Sequence, residues 1–250
     1  MSIIHSFDPS DAILSPSHFA SPIEGFPETV IVIFDSRIHE IFLEKYACEP
    51  YADLTFGFTP IYKLDYKGKS LAYFLSPIGA PATVALLEEA LVTGARKILV
   101  FGTSGSLDNS LTDGRVVVPT HAYRDEGTSY HYMPAEAGDY VEVKTAAKME
   151  SMLNELEIPY ITGRTWTTDG LFRETRRNMQ ARRADGCITV EMECAAIMAM
   201  AEFRGVEAYQ FLFTADNLDA DEWESRMLGE LPGDASEQYI RIALELAVKL

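Results

Sequence analysis

What most limits the folds open to this chain is a repeated alternation of short apolar runs, bounded by turn residues, with longer amphipathic segments. Residues 30–34, 70–75, 97–101, 115–121, 160–166, 188–192 and 209–214 have the length and apolar character of strands. Residues 38–46, 82–93, 144–156, 174–183, 194–204 and 235–249 carry apolar side chains at helical spacing. Strands separated by helices of about 10 to 15 residues require parallel pairs in the sheet, with helices on both faces. Ligands of such sheets sit beyond the carboxyl ends of the strands, which points to the segments after Phe101, Trp166, Met192 and Thr214.

With 250 residues, 47% of them apolar, the chain is expected to form one domain that buries roughly 70 to 75% of its unfolded surface. We place that domain at residues 30–250. Residues 1–29, with Pro9, Pro16, Pro22 and Pro27 spaced along them, read as an irregular arm over the domain or a neighbouring subunit. Against 38 acidic residues there are 21 basic ones, a formal net charge of -17. No basic face is left to displace counterions, so nucleic acid is not an expected partner. Without an apolar run of membrane-spanning length or a basic-then-apolar leader, the expectation is a cytoplasmic protein with no membrane contact. Cys48, Cys187 and Cys194 are odd in number and lack CxxC spacing, which suits reduced, buried thiols. No His, Cys and Asp cluster has metal-ligand spacing.

The segment Val190-Glu191-Met192-Glu193-Cys194-Ala195-Ala196 passes from an expected strand into an expected helix, with Glu193 at the junction. A carboxylate buried there needs donors, and the two adjacent hydroxyls of a ribose match its two oxygens. Alternatively, Glu193 complements the positive end of the helix dipole. Gly102-Thr103-Ser104-Gly105-Ser106 reads as a loop whose N–H groups approach an anion or a sugar, or as a tight connection only. Its GxxG spacing is not the dinucleotide GxGxxG, and Ser106 stands where a hydrolase elbow needs glycine.

Two further segments carry candidates. The run Thr165-Trp166-Thr167-Thr168-Asp169-Gly170-Leu171-Phe172 offers hydroxyls and two apolar side chains, Leu171 and Phe172, to the face of a flat base. In the alternative, Asp169 caps a turn and Phe172 joins the core. Thr214-Ala215-Asp216-Asn217 follows the strand YQFLF, where Asp216 either serves a departing base or forms part of a turn pair.

Taken together, ILVFGTSGSL, GRVVVPTHAYRDEGTSYHY, TWTTDGLFRET, ITVEMECAAIMAMAEFRGV and LFTADNL resemble, in order and spacing, the nucleoside phosphorylase superfamily of purine nucleoside and uridine phosphorylases. The resemblance runs from about Val30 to the carboxyl end. It implies a single-domain three-layer α/β/α fold with a mixed, twisted central sheet, and a pentosyltransferase activity on nucleosides with inorganic phosphate as a co-substrate and no other cofactor. It also implies a homo-oligomer, a dimer or a hexamer.

Position by position, the resemblance puts Met192, Glu193 and Thr103 at the ribose, and Val190, Leu171, Phe172 and Asp216 at the base, with Glu193 and Asp216 the catalytic pair. Asp216 matches the aspartate that protonates the base in purine-specific members. Uridine-specific members carry a Gln and an Arg after the TTD-like segment. Here Thr175 replaces the Gln and only Arg177 remains, which favours a purine.

The phosphate end departs from the family. Gly102, Thr103 and Arg37 are the candidates for an anion, but Val100 stands where the family has one arginine and Asp53 where a neighbouring subunit lends another. Phe34-Asp35-Ser36-Arg37 replaces the family's Gly-Asp-Pro-x-Arg and lacks the glycine. Each lost charge-assisted contact is worth roughly 1.5 to 3 kcal/mol. Three activities follow: a phosphorylase whose anion site is rebuilt around Arg124, Arg173 or Arg177; a nucleosidase in which Glu126, Glu174 or Asp35 activates water; and a non-catalytic nucleoside binder. The polar segment 124–132 reads as the sugar's 5′ neighbourhood, a subunit contact, or a surface turn with a satisfied ion pair.

Overall fold

A computed structural model describes residues 2–55, 58–228 and 232–250. The apolar run TVIVI forms β1 (Thr29–Ile33), buried along its whole length because it lies inside the sheet with both faces covered. It pairs in parallel with β4 (Lys69–Leu75) and β5 (Lys97–Ser106). Beyond β4 the sheet continues antiparallel through β3 (Thr59–Tyr66) to β2 (Glu49–Leu54). Neither β2 nor β3 stands out in the sequence. EPYADL is an edge strand that buries only Leu54 fully, and its Pro50 suits an edge where one N–H is dispensable.

The other half of the sheet closes on itself. β10 (Glu207–Asn217) pairs in parallel with β5 and antiparallel with β6 (Val116–Asp125). β6 runs parallel to β8 (Tyr160–Thr168), and β8 parallel to β9 (Cys187–Glu191). β9 returns antiparallel to β5 through Gly105 opposite Val190 and Ser106 opposite Thr189. The short β7 (Tyr140–Glu142) adds to β6. One strand therefore serves two neighbourhoods: β5 lies beside β1 over residues 97–100 and beside β9 at 105–106, with β10 along its other edge.

This arrangement corrects the expected loop at Gly102-Thr103-Ser104-Gly105-Ser106, which is the second half of β5. The glycines answer to close packing instead of a turn. A Cβ on Gly105 would stand 2.6 Å from Leu218 Cδ1 and 2.9 Å from Val190 Cγ1, and one on Gly102 would meet the Phe34 ring at 3.1 Å.

Helices cover both faces. α8 (Gly233–Lys249) packs against α1 (Ser36–Lys45) and α5 (Ala146–Glu155), and α2 (Ala80–Thr93) against α7 (Cys194–Arg204). α7 is buried continuously from Cys194 to Ala201, as its run of alanine and methionine suggests. α6 (Arg176–Ala184) keeps only Met179 buried. The two remaining helices, α3 (Asn109–Thr112) and α4 (Ser129–Tyr132), are single turns. Aromatic stacks tie the layers, among them Phe101 on Phe211 at 5.2 Å and Phe213 on Tyr239 at 3.7 Å. Ahead of β1, residues 2–28 hold two 3-10 turns, Ile3–His5 and Pro16–His18, and Phe7 meets Phe203 of α7 edge-on. Cys187 and Cys194 are buried free thiols, whereas Cys48 is only half-buried. No helix among the described residues is long and apolar enough to cross a membrane.

Candidate active site

Where β9 meets the end of β5, Gly102, Thr103, Val190, Met192, Glu193 and Asp216 border one cavity of about 370 Å³. That volume falls at the lower end of the range for small-molecule sites. Both members of the expected catalytic pair face it. Val190 is set there by its register opposite Gly105. Asp216 follows a bulge in β10 between Thr214 and Asp216, which re-aims the strand's last side chains.

The helix-dipole role that the sequence offers Glu193 is taken by Glu191. Glu191 Oε2 accepts the N–H groups of Glu193 at 2.8 Å and Cys194 at 2.6 Å, and so satisfies the start of α7. Thr167 Oγ1 donates to Glu191 Oε1 at 2.5 Å and accepts from Ala195 N at 3.0 Å. The Glu193 side chain makes no cap to α7. It reaches across to accept the Gly79 N–H at 2.6 Å, at the start of α2, while lining the cavity. Burial, with Glu191 beside it, pushes Glu193 up to about 8; burial pushes Glu191 up to about 7.

The cavity has two distinguishable ends. Phe34, Asp35, Ile78, Gly102, Thr103 and Glu193 border this cavity alone and mark the first end, whereas Leu171, Glu174, Asp216 and Leu228 also border a larger neighbouring cavity and mark the second. At the second end two carboxyls confront each other. Burial and then the charge of Asp216 push Glu174 up to about 7, and burial raises Asp216. Trp223 Nε1 donates to Asp216 Oδ2 at 2.8 Å.

At the first end Gly102 and Thr103, two of the three candidates for an anion, line the cavity, and the third does not. Arg37 is exposed, ion-paired with Glu40 at 2.9 Å, and does not line the cavity. Instead Asp35 Oδ1 takes the N–H groups of Arg37 at 2.8 Å and Ile38 at 3.0 Å, so the start of α1 is capped from within the chain. Val100 is fully buried between β1 and β10, and Asp53 is exposed on edge strand β2. Arg124 is buried, but its guanidinium donates to Ser129 Oγ and to the carbonyls of Met133, Pro134 and Gly138. Four of its five N–H groups organise its own turn, so that a buried cage of carbonyls stands in place of the surface ion pair. Among the described residues no Lys or Arg lines this cavity.

Two base-side expectations need correction. Phe172 lies on the 3-10 turn Leu171–Arg173, is 94% exposed and does not line this cavity, although Leu171 does. Arg177 is exposed on α6 and lines nothing here; adjacent helical residues point about 100° apart, and it is Arg176, also exposed, that donates to the carbonyls of Leu218 and Asp221. Asp169 ties a turn, accepting the Gly127 N–H at 3.0 Å. Of the three expected water-activating carboxylates, Asp35 and Glu174 line the cavity, whereas Glu126 is buried against the Ser129 N–H. Sequence reasoning missed Glu191 and Trp223. The first had a signal, since it lies three residues before the first residue of α7; the second is one of only two tryptophans, set in an acidic segment. Among the described residues no group of three or more His, Cys, Asp or Glu has the geometry of a metal site.

A mixed sheet that closes into a ring and holds a small carboxylate-lined cavity at the junction defines an α/β protein with a small-molecule site between strand ends. The family model described as the phosphorylase superfamily matches residues 29–248, and the chain belongs to that family. It is 27% identical over 184 residues to a uridine phosphorylase of Treponema pallidum (strain Nichols), covering 69% of this chain and 70% of that protein. A guanosine phosphorylase of Halorubrum lacusprofundi is 25% identical over 194 residues, 76% of this chain and 80% of its own. A DeoD-type purine nucleoside phosphorylase of Exiguobacterium sp. is 24% identical over 241 residues, 93% and 98% of the two chains.

Proposed function

We propose that the protein cleaves the N-ribosidic bond of a nucleoside, a purine in preference to a pyrimidine. The observation that carries this reading is that Glu193 and Asp216 border opposite ends of one nucleoside-sized cavity. Glu193, with Met192 and Thr103, holds the ribose: its carboxylate takes the 2′- and 3′-hydroxyls while the Gly79 N–H fixes its orientation. Leu171 and Val190 pack on the base. Asp216 donates a proton to the base nitrogen as the bond from carbon 1′ breaks, and the electron pair leaves with the base. The carboxylates around the cavity favour the cationic character that the sugar then develops.

The lining favours water as the nucleophile. Among the described residues five acidic side chains, Asp35, Glu174, Glu191, Glu193 and Asp216, border the cavity and no Lys or Arg does, so a phosphate desolvated there would find no cation to hold it. Water adds through its oxygen to carbon 1′ and passes a proton to Asp35 at the ribose end, giving free ribose and base. The second reading is phosphorolysis, a pentosyl transfer to inorganic phosphate, supported by the names of the relatives. Like the implied homo-oligomer, it comes from family membership and not from the cavity.

Incubation with purine and pyrimidine nucleosides, with and without phosphate, followed by mass identification of base, ribose and ribose 1-phosphate, tests both. Ribose released without phosphate is expected. Ribose 1-phosphate formed only with phosphate would replace hydrolysis by phosphorolysis. Neither product, with a nucleoside still raising the Tm, would leave a binding protein.

A further inference from the structure

Beside the first cavity lies a larger one of about 640 Å³. The two share Leu171, Glu174, Asp216 and Leu228, and the larger one touches none of the ribose-end residues. It therefore opens at the end assigned to the base. Its other walls are Phe172, Met179, Leu218, Trp223 and Arg176. Arg176 donates to the carbonyls of Leu218 and Asp221 at 2.9 and 2.8 Å, so its charge is committed to holding that wall together. Phe172 and Trp223, 94% and 59% exposed, stand at the mouth of this annex in a chain whose surface is otherwise rich in charge. Apolar side chains of that size left open beside a cavity mark a place that a ligand covers.

We propose that the annex is a leaving-group subsite, and that the preferred substrates are purine nucleosides bearing a ring-sized apolar substituent on an exocyclic amine of the base. This rests on the nucleoside reading above. The smaller cavity is filled by a sugar and a base, so any substituent on the far edge of the base must pass Glu174 and Asp216 and enter the annex. A secondary amine at that neck presents an N–H to two carboxyls, and the ring beyond it meets Met179, Leu218 and the indole of Trp223. A charged or strongly polar substituent would exchange its hydration for apolar walls and is disfavoured.

The test compares adenosine with N6-benzyladenosine on the full chain, by calorimetric Kd and by kcat/KM. The benzyl compound is expected to bind about tenfold more tightly or better. Phe172→Ala, the truncation of an exposed side chain that leaves the fold intact, is expected to reduce that ratio. Adenosine binding as well as or better than the benzyl compound overturns the subsite and leaves the nucleoside reading standing. If neither compound binds, both fall together.

Discussion

The indole of Trp223 holds one oxygen of Asp216, Nε1 to Oδ2 at 2.8 Å, and leaves the other for the cavity. This bond favours the charged form of Asp216 against the burial that raises it. Trp223→Phe is therefore expected to raise the Asp216 pKa further and to carry the basic limb of the kcat profile to higher pH. Asp216→Asn keeps an acceptor for the indole but loses the proton, and kcat should fall by about 10² to 10⁴. Steady-state rates from pH 5 to 10 check both. A Trp223→Phe profile superimposable on the parent would remove Trp223's positioning role.

Burial, with Glu191 beside it, holds Glu193 at about 8, so at pH 7 its protonated form predominates. Ribose hydroxyls donating to it favour the carboxylate, and nucleoside binding should release a proton. Calorimetry in two buffers of different ionisation enthalpy measures that release. Glu193→Gln retains an acceptor for the Gly79 N–H, so its Tm should stay close to the parent's while nucleoside affinity falls at least tenfold, about 1.5 to 3 kcal/mol. Unchanged affinity would end the ribose assignment.

Stability should fall as pH rises through neutrality. Glu174 and Glu191 are pushed from 4.5 to about 7 and Glu193 to about 8. Between 4.5 and 8 the folded chain thus binds more protons than the unfolded one, and stability declines with pH over that window. Below the unfolded value all three are protonated in both states and contribute no slope. Melting curves of the ligand-free protein from pH 5.5 to 8.5 should show the decline, and Glu193→Gln should flatten its upper part. A variant with the same slope as the parent would refute the Glu193 contribution.

At Gly105 fold and site share one position. Gly105→Ala places a methyl group against Leu218 and Val190, and 3.3 Å from Asp216 Oδ1. We expect a loss of about 1 to 3 kcal/mol from overpacking, visible as a lower Tm, with a larger fall in kcat/KM because the base end is narrowed. Wild-type stability together with wild-type kinetics would mean that the ring has more slack than its distances imply.

The layered architecture was legible because β1, β4, β5, β9 and β10 carry apolar runs that need cover on both faces, and α7 is apolar all round from Cys194 to Ala201. The edge strand β2 and its neighbour β3 were not, since partly exposed strands such as EPYADL lack that signature. Gly102 and Gly105 misled in another way: glycine marks a turn in local reasoning, but here it answers to Phe34, Leu218 and Val190, which are distant in sequence. Glu193 was found through its place at a strand-to-helix junction. That Glu191 would cap α7 and free Glu193 for the cavity depended on Thr167 and Gly79, and no local pattern names them. Arg37 and Arg177 do not line the cavity because a side chain's heading follows from what its helix packs against, a property of the assembled fold.

Because β5 passes from the open sheet into the ring, the floor of the cavity is also the hinge pin of the whole domain. Such a pocket has no independent lid of strands to breathe: amides of residues 102–106 should exchange with solvent only when the entire domain unfolds. A bound nucleoside would then lock the protein globally, and tight-binding molecules would protect even residues far from the sugar against proteolysis.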